Sequence, residues 1–140
     1  MTTRDESDSP APGLLDTSVI LDLDDPDVGD RLPESTMISA VTLAELSAGP
    51  HLANDASERA RRLTRLQEVE ATYVPLAVDS AVARSFGLVT AAVTAGGRSH
   101  RRRFADLLIA ATAHAHGLPL YTRHRDDFTN LEGLVAVHDI

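Results

Sequence analysis

The 140-residue chain contains no cysteine and no lysine, and each absence excludes a class of chemistry. Without cysteine there are no disulfides, thiolate zinc sites or cysteine nucleophiles. All 13 basic residues are arginine, which excludes a P-loop lysine, Schiff-base chemistry and a lysine partner for an aspartyl phosphate. Aromatic residues make up only 4% of the chain, so stacking on many nucleic-acid bases is not expected. No apolar run approaches the length of a membrane span, so a membrane protein is not expected either.

The length predicts a single domain with a hydrophobic core of its own. Residues 1–12 are polar and acidic and have no apolar segment typical of a targeting peptide, so they are interpreted as a flexible acidic tail. The domain is then expected to span residues 13–140. The absence of cysteine makes a cytoplasmic protein the default expectation.

The net charge of -8 is unevenly distributed. The first 34 residues hold ten acids against two arginines, and the remainder is neutral. Within that remainder, basic residues surround the single acid Asp106 and comprise Arg98, Arg101, Arg102, Arg103, Arg123 and Arg125. Overall acidity therefore does not exclude nucleic acid as a ligand. The part of this cluster from Arg98 to Arg103 suits the acidic side of a partner or a solvated loop, but contact with an RNA backbone, which would be sensitive to salt, is favoured.

The hydrophobic pattern predicts strands that alternate with helices. The first predicted strand starts at Leu14, and the apolar run from there to Leu23 is either one strand or a strand that turns into a helix. Further strands are predicted at 36–38, 73–78, 118–122 and 135–137. The residues of 24–27 are interpreted as a loop. Four helices are predicted. The first begins after Ser39, and the second begins at Asn54-Asp55 with its arginines expected to face outward. The third spans 79–95 and the fourth spans 104–116.

This alternation indicates an α/β domain with a mainly parallel sheet, whose ligands bind at the carboxyl ends of the strands. Asp16 follows the first strand, Asp106 begins a helix, and Asp126 and Asp127 follow the fourth predicted strand. Both Asp16 and Asp106 are isolated acids in apolar runs, where an ionised carboxylate must be paired, hydrogen-bonded or bound to a metal. The topology therefore brings these acids within reach of one another.

Each acid also has an ordinary structural interpretation. Asp16 is equally suited to cap a helix that starts at Thr17, and Asp106 to complement a helix dipole. Glu45 suits the solvent side of its helix, and Asp126 and Asp127 suit a loop. None of these acids identifies a site alone.

Together, four fragments closely resemble the PIN-domain ribonucleases, and among them the VapC toxins of bacterial toxin–antitoxin pairs. The fragments are Asp16-Thr17-Ser18, Ala44-Glu45-Leu46, Ala105-Asp106-x-x-Ile109-Ala110-Ala111 and Thr122-Arg123-x-x-x-Asp127-Phe128. The resemblance extends from Leu14 nearly to the C-terminus. It implies a PIN-like three-layer α/β/α sandwich with a mainly parallel central sheet.

The resemblance also implies a site. Asp16 and Asp106 would hold Mg²⁺ or Mn²⁺, Glu45 would complete the pocket, and a fourth acid would come from the loop after the fourth strand. Asp127 fits this acid best; its neighbour Asp126 is the other candidate. Relatives often carry Asn or Asp where this chain has His124, which makes that histidine a further candidate for a ligand or a phosphate contact.

The implied function is the toxin of a type II toxin–antitoxin system, a Mg²⁺-dependent endoribonuclease that cleaves structured RNA such as tRNA or rRNA. The implied partners are a VapB-type antitoxin, which alone would supply contact with operator DNA, and a second copy of the chain in a homodimer. Two alternatives are a haloacid-dehalogenase-like phosphatase with Asp16 as nucleophile and a degenerate PIN module that only binds a partner. A zinc site at His114 and His116 is rejected, because residues two apart point to different faces of a helix.

Overall fold

The computed structural model describes residues 12–97 and 103–140, which contain ten regular elements. The strands are β1 (Gly13–Leu15), β2 (Thr36–Met37), β3 (Leu120–Thr122) and β4 (Val137–Asp139). The helices are α1 (Thr17–Leu21), α2 (Pro26–Gly29), α3 (Ala40–Ala48), α4 (Ala56–Thr72), α5 (Ser80–Ala95) and α6 (Phe104–His116). Two 3₁₀ turns add Gly49–Leu52 and Arg125–Phe128.

The four strands form one sheet in the order β2-β1-β3-β4, and every neighbouring pair is parallel. Leu14 of the central strand β1 lies opposite both Met37 of β2 and Leu120 of β3. All carboxyl ends therefore lie at one edge of the sheet. The residues that follow β1 and β3 meet at this edge, as expected for a ligand site in a parallel sheet.

Successive strand residues point to opposite sides of the sheet, so the apolar strands present apolar side chains on both faces, and helices cover both faces. Leu14 and Leu120 contribute to one core, which includes Val89 of α5 and Ile109 of α6. The adjacent residue Leu15 contributes to a second core on the other face. That core also holds Ile20 of α1, Leu46 of α3 and Val69 of α4. The predicted α/β class with a parallel sheet between helical layers is confirmed.

Capping residues determine the helix boundaries that the sequence predicted well. The side chains of Ser39, Asp55 and Asp79 accept backbone hydrogen bonds at the starts of α3, α4 and α5. Helix α6 spans the predicted 104–116 and ends at Gly117, whose φ of 63° suits a residue without a side chain.

The predicted strand at 73–78 is wrong. Leu76 forms only an isolated bridge to Ser39, through hydrogen bonds from Leu76 N to Ile38 O at 2.9 Å and from Ala40 N to Leu76 O at 2.8 Å. Both backbone groups of Leu76 are used in this bridge, and no other described residue of the segment continues the ladder, so the segment is extended but forms no strand. The strand 120–122 is therefore the third strand and not the fourth.

The apolar run after Leu14 follows the second of the two predicted alternatives, because it is a strand to Leu15 and then turns into α1 at Thr17. Two smaller predictions need correction. The predicted loop at 24–27 contains the start of α2, where Asp25 caps a helix with Pro26 in its first turn. The arginines of α4 do not all face outward, because the side chain of Arg65 is only 17% exposed.

Some predictions fall outside the described residues. The flexible tail of 1–12 does so except for its last residue, and so do Arg98, Arg101 and Arg102 of the arginine cluster. Among the described residues, no helix is both long and apolar enough to cross a membrane.

Candidate active site at the carboxyl edge of the sheet

Asp16 lies between the end of β1 and the start of α1 and is only 4% exposed. Its Oδ1 atom caps α1 by accepting the Val19 N–H at 3.3 Å and also accepts the Ser18 hydroxyl. Its Oδ2 atom accepts the Thr122 hydroxyl at 2.6 Å. Asp16 is thus a helix cap whose carboxylate is held in one orientation, and this role leaves the further role of a ligand possible.

The two hydroxyls that bond Asp16 are themselves held by backbone. The Ser18 hydroxyl accepts the Arg123 N–H at 3.1 Å, and the Thr122 hydroxyl accepts the His124 N–H at 2.9 Å. Both N–H groups belong to the chain that leaves β3. The Ser18 and Thr122 hydroxyls therefore each connect the Asp16 carboxylate to the backbone of the loop after β3.

Glu45 reaches the same edge from α3. Its Oε1 atom accepts the Thr17 hydroxyl at 2.7 Å, and that hydroxyl lies 3.1 Å from Thr42 Oγ1. Glu45 itself is exposed, whereas Thr42 is buried. Thr17, which directly follows Asp16, thus forms a hydrogen bond with Glu45.

Asp106 lies in the first turn of α6, as predicted. The pKa of Asp106 is raised from its usual 3.8 to about 6, mainly because burial disfavours its charged form. The negative charges of Asp127, Asp16 and Glu45 also raise this pKa, in that order, whereas the Arg103 guanidinium lowers it. All four predicted site carboxylates therefore share one electrostatic environment, centred on Asp106.

Asp127 belongs to the 3₁₀ turn after β3 and is half-buried, whereas Asp126 and His124 are exposed. Arg103, directly before α6, anchors this turn by donating from Nη1 to Asp126 O at 3.1 Å. Its Nη2 atom lies 3.8 Å from Asp127 Oδ1. Asp127 is the acid of this turn whose charge acts on Asp106, which favours it over its two neighbours as the fourth acid.

The donor set contains only oxygen atoms, which suits a hard cation such as Mg²⁺. Within residues 12–97 and 103–140, however, no group of three or more His, Asp or Glu side chains is arranged to hold a metal ion. Mg²⁺ commonly binds through one or two carboxylates and keeps several waters. Burial first, and the charges of the neighbouring acids second, disfavour the ionised form of Asp106, and a bound cation would offset both effects. The residues fit a sparsely liganded cation and do not form a closed cage.

Basic and acidic residues alternate around the mouth of the site. The Arg123 guanidinium lies 3.7 Å from Asp22 and 3.8 Å from Asp25. A cavity of about 350 Å³ beside Asp127 is lined by Arg123, His124, Arg125, Asp126, Asp127 and Asp139. A polyanion at this cavity would therefore meet cationic side chains as well as acids.

The sequence did not predict a role in the site for Thr17 or Thr122, and it predicted Arg103 only as part of the arginine cluster around Asp106. Thr122 is the first residue of the Thr122-Arg123-x-x-x-Asp127-Phe128 motif, but its hydrogen bond to Asp16 depends on β3 lying next to β1. The His114 Nδ1 atom lies 2.8 Å from the Ser85 hydroxyl, between α6 and α5.

Residues 13–134 match the model of the PIN domain family. The chain belongs to this family. It is 38% identical over 136 residues to Ribonuclease VapC5 of Mycobacterium tuberculosis, which covers 96% of this chain and 98% of that protein. It is 35% identical to Ribonuclease VapC4 of the same organism, over 81% of this chain and 86% of that protein. The PIN-domain chain is thus of the VapC type.

Solved structures agree with this membership. The chain matches one from the crystal structure of the toxin–antitoxin system VapBC-5 of Mycobacterium tuberculosis with a TM-score of 0.78 and 37% identity, over 94% of this chain and 98% of that one. It matches FitAcB of Neisseria gonorrhoeae with a TM-score of 0.74 and 30% identity, over 90% and 96% of the two chains.

The predicted resemblance and class, a PIN-domain endoribonuclease toxin of the VapC type, are confirmed by these relatives. Family membership sets aside the haloacid-dehalogenase-like phosphatase. The structural relatives are toxin–antitoxin complexes, and nucleases of this family generally depend on a divalent metal. The metal, the RNA class and the roles of the individual acids stay predictions.

Proposed function

We propose that this PIN-domain chain is the toxin of a type II toxin–antitoxin pair and cleaves structured RNA, tRNA or rRNA, in a Mg²⁺-dependent reaction. The observation that carries the proposal is the convergence of four acids from separate elements at the carboxyl edge of the sheet, where the charges of Asp127, Asp16 and Glu45 act on Asp106. Such a concentration of carboxylates costs stability, so a fold that retains it is expected to use it for a cation.

Asp16 and Asp106 are the residues proposed to hold Mg²⁺, or Mn²⁺ in its place. When bound, such an ion makes a coordinated water more acidic and stabilises the charge that develops on the phosphate. The chain's own contribution is orientation. Ser18 and Thr122 fix the carboxylate of Asp16 from opposite sides, so this ligand would be in place before the ion arrives.

Glu45 and Asp127 are proposed to complete the acidic pocket from α3 and from the turn after β3. Both charges act on Asp106, so both would favour cation binding. Arg103 contacts Asp127 and limits the repulsion that an RNA phosphate would meet at this edge. With few aromatic side chains in the chain, recognition would depend on RNA shape and backbone.

The proposed partners follow the family. A VapB-type antitoxin would cover the site and would provide the contact with operator DNA, and the chain would form a homodimer. Exposed apolar side chains suited to such contacts include Leu88, which is 53% exposed, and Phe104, which is 54% exposed. The proposal implies a cytoplasmic protein, because the RNAs that it would cleave are cytoplasmic.

The test compares three substrates with the purified protein: structured tRNA and rRNA fragments, and a small phosphomonoester. We expect RNA cleavage with Mg²⁺, loss of cleavage with a chelator, and no hydrolysis of the phosphomonoester. Cleavage that persists in chelator would contradict the metal dependence. A protein that cleaves no RNA with any divalent ion, and that arrests no growth when produced alone, would support the degenerate PIN module instead.

A further inference from the structure

Glu45 is the least constrained of the four site acids. It is exposed on α3, and a glutamate side chain has several rotatable bonds whose freedom must be lost for it to act in one place. Among the described residues its carboxylate has one hydrogen-bond partner, the Thr17 hydroxyl at 2.7 Å. The position of the Glu45 charge therefore depends on this single contact.

The nearby arginines do not replace that contact. Three arginines of α4 line the same cavity of about 440 Å³ as Glu45, namely Arg61, Arg62 and Arg65. Their guanidinium groups donate elsewhere: to Ser57 Oγ at 3.0 Å, to Gly49 O at 2.8 Å and to Asp24 at 2.6 Å, respectively. In the part of the chain that the structure describes, no ion pair joins any of these arginines to Glu45, which keeps its charge available to the site.

Thr17 is itself held firmly. It begins α1 directly after the buried Asp16, and its hydroxyl lies 3.1 Å from that of the buried Thr42. Thr42 precedes Glu45 by three residues on α3, so both face the same side of that helix. Threonine is branched at Cβ and has few rotamers in a helix. The Thr17 hydroxyl is thus a fixed point between α1 and α3.

We infer that Thr17 is a positioning residue of the site, whose hydroxyl directs the Glu45 carboxylate toward the other three acids. The inference rests on the proposed endoribonuclease function. Because Asp16 and Thr17 are consecutive, the start of α1 determines the positions of two acids at once. Loss of the hydroxyl leaves the RNA-binding surface intact, so turnover falls and the apparent affinity for RNA is retained.

The test compares Thr17→Val, which removes the hydroxyl at nearly constant volume, with Thr17→Ser, which retains it. Thr72→Val is the matched control, because that exposed hydroxyl bonds only Glu68 O within α4 at 2.8 Å. With saturating Mg²⁺, we expect kcat to fall about tenfold in Thr17→Val, as for loss of one hydrogen bond to a charged group, while KM changes less than about twofold. Thr17→Ser and Thr72→Val are expected to stay within about threefold of the wild type.

A double-mutant cycle identifies the route of the effect. In a Glu45→Gln background, Thr17→Val should lower kcat by less than about twofold, because the residue it positions has already changed. An equal loss in both backgrounds, or a Thr17→Ser variant as slow as Thr17→Val, would contradict a role through the hydroxyl and Glu45. A kcat of Thr17→Val within twofold of the wild type would do so as well.

A second readout does not depend on activity. In crystal structures at one pH, Glu45 is expected in one rotamer in the wild type and Thr17→Ser, and in several in Thr17→Val. If the wild type cleaved no RNA, the proposed function would fail, yet these rotamers would still decide whether Thr17 positions Glu45. A single unchanged rotamer in Thr17→Val would overturn the inference even if the wild type were fully active.

Discussion

The Thr122 hydroxyl donates a 2.6 Å hydrogen bond to Asp16 Oδ2, although the two residues are 106 positions apart in the chain. A hydrogen bond to a charged group contributes about 1.5 to 3 kcal/mol, more than one between neutral groups. The same hydroxyl accepts the His124 N–H. Thr122 therefore connects a buried carboxylate to the backbone of the loop that carries the fourth acid.

Thr122→Val should lower the free energy of unfolding by about 2 kcal/mol, because Asp16 loses a buried donor and the His124 N–H loses its acceptor. Thr122→Ser should lose less than half of this. Urea denaturation of both variants in the presence of chelator measures the difference without a contribution from bound metal. Equal transition midpoints for Thr122→Val and the wild type would show that the bond adds nothing to stability.

Asp16→Asn and Asp106→Asn should each reduce Mg²⁺-dependent RNA cleavage by about 100-fold or more, since a proposed ligand is replaced by a neutral amide. Production of either variant alone should no longer arrest growth. Asp30→Asn, which changes an exposed acid at the end of α2, should leave cleavage unchanged. Circular dichroism would check that all three variants are folded. Undiminished cleavage by both Asp16→Asn and Asp106→Asn would refute the proposal that these residues bind the metal.

The fourth acid is expected to be Asp127. Asp127→Asn should lower kcat at least about tenfold, because its charge acts on Asp106 and favours the bound cation. Asp126→Asn and His124→Ala should retain most activity, as both side chains are exposed. Cleavage rates over a Mg²⁺ titration distinguish the three variants. A complete loss in His124→Ala would assign the fourth role to the histidine.

The pKa of about 6 for Asp106 predicts a pH-dependent stability of the metal-free protein. Since this pKa is above the unfolded value, the carboxyl favours the folded state below about pH 4, and that contribution is lost as the pH rises through 6. At pH 7.5, Asp106→Asn should therefore be more stable than the wild type by about 1 kcal/mol, after a discount for solvent screening.

Urea denaturation in chelator at pH 7.5 and at pH 4 measures this difference. The advantage of Asp106→Asn should shrink at the lower pH, where the wild-type carboxyl binds its proton. Added Mg²⁺ should reverse the order at pH 7.5 by stabilising only the wild type. A variant that is less stable than the metal-free wild type at pH 7.5 would contradict the proposed cost of an ionised Asp106, which burial and the neighbouring acids raise.

The sequence predicted those parts of the fold that depend on local signals. Helix α6 has a long apolar run and a glycine at its end, and Asp79 and Ser39 are favourable caps, so these boundaries agree with the structure. The segment 73–78 has the composition of a strand, but a strand needs a paired partner, and among the described residues this segment forms one isolated bridge, from Leu76 to Ser39. Tertiary pairing is not encoded in a single stretch of sequence.

The same distinction applies to the site. Asp16, Glu45, Asp106 and Asp127 were found from motifs, and the structure brings their charges together around Asp106. The bonds from Thr17 to Glu45 and from Thr122 to Asp16 could not be predicted. Each depends on the placement of two separate elements, α1 against α3 and β1 against β3, which no motif spacing specifies.

The order of the strands has a consequence for synthesis of the protein. Strand β1 is made first, yet its neighbour β3 and the turn that carries Asp127 come from the last quarter of the chain. A nascent chain that has not yet released these residues from the ribosome lacks the Thr122 donor and the fourth acid. The acidic pocket can therefore assemble only after the ribosome has released the segment through Asp127, so until then the ribosome that makes this chain is separated from its proposed activity.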